Sequence, residues 1–300
     1  MLLLRRLSSL CLISALAVAC GDDPSGLAGP GPPASLIVVG GDGQLGLPGT
    51  ILSTPLVARV VDRFGVPVEG AEVSWEVSAG GCALSQAELA TDAAGEVSAT
   101  LTLGSVIGSN TVIATHGELT PIEFNALALA TVQSDAANDT FSTGGAAGGA
   151  PPDVLAIGTA WDGDSLIIAL AFGDSVSPAS SGGPNAVAGL VEFDIDLDEM
   201  TGKESELDTH RPGPGSTGMG VDVLVDLFDD ESGDYLIFDW RPNIIGITTP
   251  AVRGKLISFG VPTALVGSGA LRAGAIVGTL SGPTDIVPND GSVLIEAAGG

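Results

Sequence analysis

Hydrophobic and polar residues alternate in short runs between about residues 34 and 130, and Gly, Pro and Asn separate the runs. Leu56, Ala58 and Val60, for example, occupy every second position of one run. Successive side chains of a β-strand point to opposite faces, so this alternation predicts strands that bury one face. Many short strands with frequent turns are typical of a β-sandwich, and we expect the first folded domain at residues 34–130.

The alternation continues in the C-terminal half, where it predicts eight further strands. They are expected at Val154–Trp161, Ser165–Phe172, Ala186–Leu197, Val221–Phe228, Tyr235–Trp240, Lys255–Val261, Ala273–Leu280 and Ser292–Glu296. Apart from one helical turn expected at residues 263–266, the pattern indicates no amphipathic helix. We therefore predict an all-β protein with two β-sandwich domains in tandem, the second an acidic jelly-roll or Ig-like sandwich at residues 131–300.

The N-terminus has the plan of a secretory signal peptide. Two arginines precede an apolar run at residues 10–18, which is too short to span a membrane and is followed by small residues. The sequence Leu16-Ala17-Val18-Ala19-Cys20 resembles the lipobox of bacterial lipoproteins, although Ala17 replaces the usual leucine. The resemblance implies that residues 1–19 are removed and that Cys20 carries the lipid. The alternative is an ordinary signal peptide that leaves Cys20 as a plain thiol.

A polar stretch rich in Gly and Pro begins after Cys20 and reaches residue 33. Such a composition cannot form a core and is typical of a flexible tether, which favours the lipid-anchor interpretation of residues 20–33. In lipoproteins an aspartate directly after the lipidated cysteine can retain the protein at the inner membrane, whereas Gly21 has that position here. We therefore expect an exported, lipid-anchored envelope protein, with the outer membrane favoured over the inner membrane.

The charge balance excludes nucleic acid as a partner. The chain has 36 acidic and only 10 basic residues, a formal net charge of -26, so it lacks the basic surface that such binding requires. A mean hydropathy of +0.44 argues against disorder.

The cysteines predict that no disulfide forms within the mature chain. After loss of the signal peptide and acylation of Cys20, Cys82 would be the one free thiol. The stability of the protein must therefore come from its two cores.

Several motifs of the first domain occur in a characteristic order. They are Pro-Leu-Val-x-Arg-Val at 55–60, Asp-x-x-Gly-x-Pro-Val-x-Gly at 62–70, Gly-Gly at 80–81, Thr-Asp-x-x-Gly at 91–95, and Leu-Gly at 103–104 ahead of Gly-Ser-Asn-Thr-Val at 108–112. Together they resemble the bacterial Ig-like domain of group 1, the invasin and intimin type. The resemblance implies a β-sandwich that serves as a stalk, spacer or adhesive module at the cell surface, without catalytic residues.

Four carboxylates occupy alternate positions near the end of the predicted strand Ala186–Leu197. Glu192, Asp194, Asp196 and Asp198 would lie on the face opposite the core. Neighbouring carboxylates repel one another, and a hard divalent cation with oxygen ligands would relieve the repulsion. We therefore consider a Ca²⁺ ion bound by Asp194, Asp196 and Asp198. The alternative is a solvated acidic face without a metal.

Candidate catalytic groups are few. The two histidines, His116 and His210, lie in different predicted domains, and no serine lies in a nucleophile-elbow motif. The sequence thus argues against a histidine-dependent triad and against a multi-histidine metal centre. The Gly-x-Gly-x-x-Gly match at 213–218 does not follow a predicted strand, and we interpret it as a loop. We predict that the protein is not an enzyme.

Three short motifs of the second domain suggest a family of ligand-binding modules. They are Asp-x-x-x-Asp-Thr-Phe at 135–141, Phe-Asp-Ile-Asp at 193–196 with Thr-Gly at 201–202, and Pro-Thr-Asp-x-x-Pro-Asn-x-Gly at 283–291. Together they are similar to DOMON-like and carbohydrate-binding β-sandwich modules. The similarity implies a sugar ligand, for which Trp161, Tyr235 and Trp240 could offer stacking surfaces, although we expect both tryptophans in the core.

The predicted function is non-catalytic binding or adhesion at the cell surface. The first domain would be a spacer, and the second would be a head that binds Ca²⁺ or an unknown protein or glycan ligand. The N-terminal lipid would provide the contact with the membrane. Two alternatives are a carbohydrate-binding module and a purely structural envelope protein.

Overall fold

The computed structural model describes residues 29–141, 151–183, 185–211 and 214–299, and nearly all of its regular elements are β-strands. The predicted signal peptide, Cys20 and most of the predicted tether lie outside the described residues. No helix in the described part of the chain has the length and apolar character needed to cross a membrane. The all-β prediction is confirmed.

Two four-stranded sheets form the first domain. Its strands are β1 (Pro33–Gly40), β2 (Gln44–Gly46), β3 (Leu56–Asp62), β4 (Ser74–Ala79), β5 (Ala83–Ser85), β6 (Glu96–Thr102), β7 (Gly108–Thr115) and β8 (Ile122–Ala128). One sheet has the order β1-β3-β6-β5 and the other the order β2-β8-β7-β4. Neighbouring strands are antiparallel, except that β2 and β8 are parallel.

The predicted alternation places one face of the central strands in the core of this sandwich. Leu56, Ala58 and Val60 of β3 are completely buried. The opposite sheet contributes Phe124 of β8, which is also completely buried, and its ring centroid lies 5.6 Å from that of Trp75. Complete burial of one large apolar side chain stabilises a fold by roughly 1.5–3 kcal/mol. The two sheets therefore close around one apolar core.

The Asp-x-x-Gly motifs of the first domain are turns whose geometry explains their composition. Asp62 Oδ1 accepts hydrogen bonds from the amides of Phe64 and Val66 at 2.8 and 2.9 Å, and Gly65 has a φ of 79°. Asp92 Oδ1 accepts two amide hydrogen bonds in the same way at the start of the second motif. An aspartate satisfies the amides of a tight turn, and glycine adopts a positive φ without strain, so the motif specifies a turn locally.

The second domain contains the remaining described strands. They are β9 (Thr131–Ser134), β10 (Val154–Asp162), β11 (Ser165–Phe172), β12 (Ser177–Pro178), β13 (Ala186–Asp194), β14 (Lys203–Glu204), β15 (Gly220–Val221), β16 (Val223–Asp226), β17 (Tyr235–Asp239), β18 (Ile244–Thr248), β19 (Ala251–Arg253), β20 (Leu256–Pro262), β21 (Leu271–Thr279), β22 (Gly282–Val287) and β23 (Val293–Ile295). Its helices are α1 (Glu206–His210) and α2 (Thr263–Val266), and a 3₁₀ turn lies at Ala179–Ser181.

A five-stranded sheet and a larger sheet pack face to face in this domain. The first has the order β19-β20-β11-β10-β9, and the second has the main order β18-β17-β16-β13-β21-β22. Buried side chains from both sheets, such as Ile168, Phe259, Phe193 and Ile237, form one core. The predicted second sandwich is therefore present. The domain boundary expected after residue 130 falls between β8 and β9.

Several elements of the second domain differ from the sequence prediction. β13 ends at Asp194 instead of Leu197; the chain bends from Ile195, and Leu197 itself has a φ of 62° that a strand cannot contain. The strand expected at 221–228 is interrupted at Asp222, which separates β15 from β16. Helix α1 was not predicted, although Ser205 caps it by accepting a hydrogen bond from the amide of Leu207. The helical turn expected at 263–266 is confirmed as α2.

Candidate functional site

The acidic strand end predicted as a metal site forms a cluster of three carboxylates, one of which the prediction missed. Asp194, Asp196 and Asp222 each place a carboxylate oxygen within 4.8 Å of the other two. Asp194 is the last residue of β13, Asp196 lies in the turn that follows, and Asp222 lies between β15 and β16. We refer to these three residues as the Asp194 cluster.

Asp198 lies outside the cluster, so the structure does not bring this member of the predicted ligand set together with Asp194 and Asp196. Once the chain leaves the strand at Asp194, the period of two that placed Asp198 on the same face no longer applies. Asp198 is exposed, and its Oδ1 accepts a hydrogen bond from the amide of Met200 at 3.0 Å. The side chain thus stabilises a turn instead of facing Asp194.

Asp222 takes the third position because of the pairing between β13 and β16. Its amide donates a hydrogen bond to the carbonyl of Phe193 at 2.9 Å, and its Oδ2 accepts one from the amide of Ile195 at 3.1 Å. The sequence contains one relevant signal, since Asp222 lies between Val221 and Val223, both of which are buried. That alternation indicates the face of Asp222, but it does not reveal which strand lies beside it.

Burial distinguishes the cluster from a solvated acidic face. Asp194 is completely buried, and neither of its carboxylate oxygens has a hydrogen-bond partner among the described residues. It forms an ion pair with Arg272, whose Nη1 lies 3.7 Å from Asp194 Oδ2. Burial raises the pKa of Asp194, the amide of Leu197 opposes that rise, and the nearby charge of Asp196 adds to it. The alternative of a fully solvated face is therefore wrong for Asp194.

Glu192, the first carboxylate of the predicted acidic face, is buried as well but has partners. Its Oε2 accepts a hydrogen bond from Ser205 Oγ at 2.6 Å and one from the amide of Glu206 at 3.2 Å. Lys203 Nζ lies 3.8 Å from Oε1. Burial raises the pKa of Glu192, and the hydrogen bond from Ser205 opposes that rise. This side chain therefore anchors the start of α1 and has no free oxygen directed toward the Asp194 cluster.

We expect Glu192→Ala to lower the free energy of unfolding of the second domain by about 1–3 kcal/mol, because one buried and one partly buried donor lose their acceptor. The donors are the Ser205 hydroxyl and the Glu206 amide. Urea unfolding followed by circular dichroism measures the change. Glu192→Gln keeps an acceptor oxygen and should lose less, so an equal loss in the two variants would contradict this role.

A second carboxylate cluster joins the segment after β9 to β22. Asp135, Asp139 and Asp285 place carboxylate oxygens within 4.8 Å of one another. Asp285 is completely buried and accepts hydrogen bonds from the amides of Val154 and Ile286 at 2.7 and 2.9 Å. The structure thus brings together two of the sequence motifs that suggested a ligand-binding module, at 135–141 and 283–291.

Repulsion and burial change the acidity of this second cluster. Burial, together with the charges of Asp135 and Asp139, raises the pKa of Asp285 to about 7. Burial and the charge of Asp139 raise the pKa of Asp135 to about 6. The side-chain amide of Asn289 donates a hydrogen bond from Nδ2 to Asp135 Oδ1 at 2.8 Å and another to Asp139 Oδ2. The cluster therefore holds a proton more tightly than isolated carboxylates would.

The three aromatic residues considered for sugar stacking do not form a common platform. Tyr235 is completely buried, and Trp161 is partly buried with its Nε1 donating a hydrogen bond to the carbonyl of Glu296 at 2.8 Å. Trp240 is 40% exposed, contrary to the expectation that it lies in the core, and the Arg241 guanidinium lies 4.3 Å from its ring centroid. Of these three rings, Trp240 alone offers an exposed face.

An open, largely apolar groove lies on the larger sheet of the second domain. Its volume is about 420 Å³, and Leu190, Phe228, Leu280 and Pro283 contribute to its walls. Phe228 and Leu280 are exposed in it. Exposed large apolar side chains grouped in this way are typical of a surface that contacts a ligand or partner.

Comparison with known families concerns the first domain. Residues 52–142 match the bacterial Ig-like domain (group 1) family. The family resemblance predicted from the ordered motifs at 55–112 is thereby confirmed. The match ends at residue 142, so the similarity of the second domain to DOMON-like modules stays a prediction. No curated protein matches the sequence.

Solved structures that align with this chain include surface-layer and adhesin domains. Domains 4 and 5 of the S-layer protein SbsC align over 34% of this chain and 54% of that chain, with 16% identity and a TM-score of 0.28. The D0-D1 domain of intimin aligns over 88% and 99%, with 11% identity and a TM-score of 0.28. The adhesin InvE of Yersinia pseudotuberculosis aligns over 87% and 58%, with 15% identity and a TM-score of 0.26. The chain thus spans about half of the SbsC structure, and TM-scores of this size support no conclusion about function.

Proposed function

We propose that this protein is a non-enzymatic lipoprotein of the cell surface, in which the Ig-like domain is a spacer and the second sandwich is a binding head. Its main support is the group 1 Ig-like match at residues 52–142, followed by a second β-sandwich. That second domain carries 24 of the 36 carboxylates but only six basic residues. A strongly acidic surface repels other anionic surfaces and keeps an exported domain soluble.

The junction of the two domains suits a spacer. β8 ends at Ala128 and β9 begins at Thr131, so the connection is short. An apolar cluster spans it, in which Leu127 and Leu129 pack with Ala156, Ala169 and other residues of the second domain. Apolar contacts between consecutive domains restrict their relative motion. The Ig-like domain would therefore present the head at a defined distance from the membrane.

The placement of the histidines supports a non-catalytic head. Nδ1 of His116 lies against the carbonyl of Glu72 in the Ig-like domain, and Nδ1 of His210 lies 3.0 Å from the carbonyl of Glu206 in the second domain. The two rings belong to different domains and are engaged locally.

Lipid anchoring predicts that Cys20→Ser releases the protein from the membrane. Cells that express the full chain and are fed radioactive palmitate should label the wild-type protein, which should fractionate with membranes. Cys20→Ser should remain unlabelled and appear in the soluble fraction, because the thiol that accepts the lipid is lost. Cys82→Ser is the matched control, since Cys82 is buried in the core of the Ig-like domain. Membrane retention and labelling of Cys20→Ser would contradict the proposed anchor.

Surface exposure is tested on the same cells. Proteinase K added to intact cells should degrade the wild-type protein, while a periplasmic marker protein stays intact. Protection of the protein until the outer membrane is opened would place the head in the periplasm and overturn the adhesion proposal.

A further inference from the structure

We propose that the Asp194 cluster is a binding site for one divalent cation and that Ca²⁺ is the ion it fits best. The site consists of Asp194, Asp196 and Asp222, and it joins the end of β13 to the start of β16. The inference goes beyond the proposed surface function and is independent of it, because it concerns only what stabilises the second domain.

The spacing of the carboxylates fits a shared ion. One oxygen of each aspartate lies within 4.8 Å of the other two. Ca²⁺ binds oxygen ligands at about 2.3–2.6 Å, so two oxygens on opposite sides of one ion are about 5 Å apart. The same limit admits Mg²⁺, but Mg²⁺ requires near-ideal octahedral geometry at about 2.0–2.1 Å, whereas Ca²⁺ accepts flexible sets of oxygen ligands.

Asp194 supplies the independent evidence that a ligand is missing. Its side chain is completely buried, and neither oxygen has a hydrogen bond of standard geometry among the described residues, although the amides of Leu197 and Gly220 lower its pKa. Arg272 Nη1 lies 3.7 Å from Oδ2, but it donates a hydrogen bond to the carbonyl of Gly218 at 2.9 Å. Burial of a carboxylate is costly unless the group is both paired and hydrogen-bonded, and Arg272 supplies a charge at 3.7 Å but no hydrogen bond, so a metal ion would complete the contacts of Asp194.

The other two carboxylates are held in place by hydrogen bonds. Thr201 Oγ1 and the amide of Asp198 donate to Asp196 Oδ1, each at 3.0 Å. The amide of Ile195 donates to Asp222 Oδ2 at 3.1 Å. Metal ligands are typically oriented by such outer hydrogen bonds, so Asp196 and Asp222 are fixed while the oxygens of Asp194 remain available.

The chemistry of the donors selects the class of ion. The three groups of the cluster are carboxylates, and neither histidine nor cysteine belongs to it. Hard cations with oxygen ligands suit such a set, whereas Zn²⁺ in proteins is usually bound by sulfur and nitrogen. The bound ion would also offset the mutual repulsion of three negative charges, which the single guanidinium of Arg272 cannot balance.

Calcium binding by the full mature chain tests the site. Equilibrium dialysis with radioactive Ca²⁺ should give one bound ion that depends on Asp194, Asp196 and Asp222, and thermal unfolding in CaCl₂ should shift upward relative to EDTA. At free Ca²⁺ about 100 times Kd, the unfolding constant of the second domain should fall about 100-fold. MgCl₂ at the same concentration should give a smaller shift.

Three variants assign the ligands. Asp196→Asn and Asp222→Asn keep an acceptor oxygen for their hydrogen bonds but lose the charge, so each should weaken Ca²⁺ binding by at least about 10-fold, as expected for loss of a metal contact. Asp198→Asn is the matched control in the same turn and should bind as the wild type does. In EDTA, Asp222→Asn should unfold at the same temperature as the wild type or at a higher one, because fewer carboxylates of the cluster repel one another.

Several results would overturn the assignment. One is wild-type affinity in both Asp196→Asn and Asp222→Asn, and another is an equal loss in Asp198→Asn. Loss of the ion in Asp135→Asn alone would place it in the other carboxylate cluster and reject this site. Should Asp222→Asn fail to fold, the exposed Asp196 still provides the test, since its replacement removes no core contact.

Discussion

Phe193→Ala is expected to lower the free energy of unfolding of the second domain by about 3–5 kcal/mol, the range for truncation of a buried aromatic side chain. Phe193 is completely buried in β13, a central strand flanked by β16 and β21. Its ring contributes to the core formed by both sheets, so the truncation removes apolar contacts and leaves a cavity. Urea unfolding followed by tryptophan fluorescence and circular dichroism measures the loss.

Phe124→Ala provides the corresponding change in the Ig-like domain. The Phe124 side chain is completely buried in a separate core, so we expect a loss of similar size confined to that domain's transition. Leu294→Ala is a control for truncation itself, because Leu294 is 49% exposed and should change stability little. If the protein instead shows one unfolding transition, and Phe193→Ala and Phe124→Ala shift it equally, the expectation that the two cores unfold separately is wrong.

Stability is expected to fall as the pH is raised from about 4 through about 7, in the presence of EDTA. The folded-state pKa of Asp285 is raised from 3.8 to about 7, so the folded protein holds a proton that the unfolded chain releases at lower pH. Each pKa unit corresponds to about 1.4 kcal/mol, so Asp285 contributes a loss of at most about 4 kcal/mol across this range. Asp135, with a pKa of about 6, adds to the same trend, but solvent screening of its partly exposed side chain reduces the effect.

Urea unfolding at pH 5 and pH 8 measures this dependence. Asp135→Asn should flatten the difference and raise stability at pH 8, because it removes one charge from the cluster while its amide oxygen can still accept the hydrogen bond from Asn289. Asp164→Asn is the control, because it changes the net charge by the same amount as Asp135→Asn but at an exposed position. It should leave the pH dependence of stability nearly unchanged. Greater stability at pH 8 than at pH 5 would show that the cluster does not control the pH dependence.

The strands of both domains were largely predictable because their signal is local. Burial of alternate residues in β3 and β6 follows directly from the alternation in the sequence. Ser165–Phe172 was predicted with the bounds that β11 has. The Asp-x-x-Gly turns were equally accessible, since an aspartate and a glycine determine the local hydrogen bonds and φ angle. Short elements such as β12 and β14 were missed because two residues carry no periodicity.

The candidate site was only partly predictable. Asp194 and Asp196 were identified because they lie close together in the sequence, near the end of one strand. Asp198 does not join them, because β13 ends at Asp194 and the positive φ of Leu197 directs the chain into a turn. Asp222 was missed because its position depends on the pairing of β16 with β13.

By itself, the sequence determined the all-β class, the group 1 Ig-like character of the first domain and the strongly acidic nature of the second. The lipid anchor at Cys20 and the binding of Ca²⁺ stay predictions. The tertiary structure alone decided which acids are buried and which meet, as with Asp135 and Asp285 or Asp194 and Asp222. The physical reason is that alternation along a strand encodes the face of each residue, whereas strand pairing and burial depend on contacts between residues far apart in the chain.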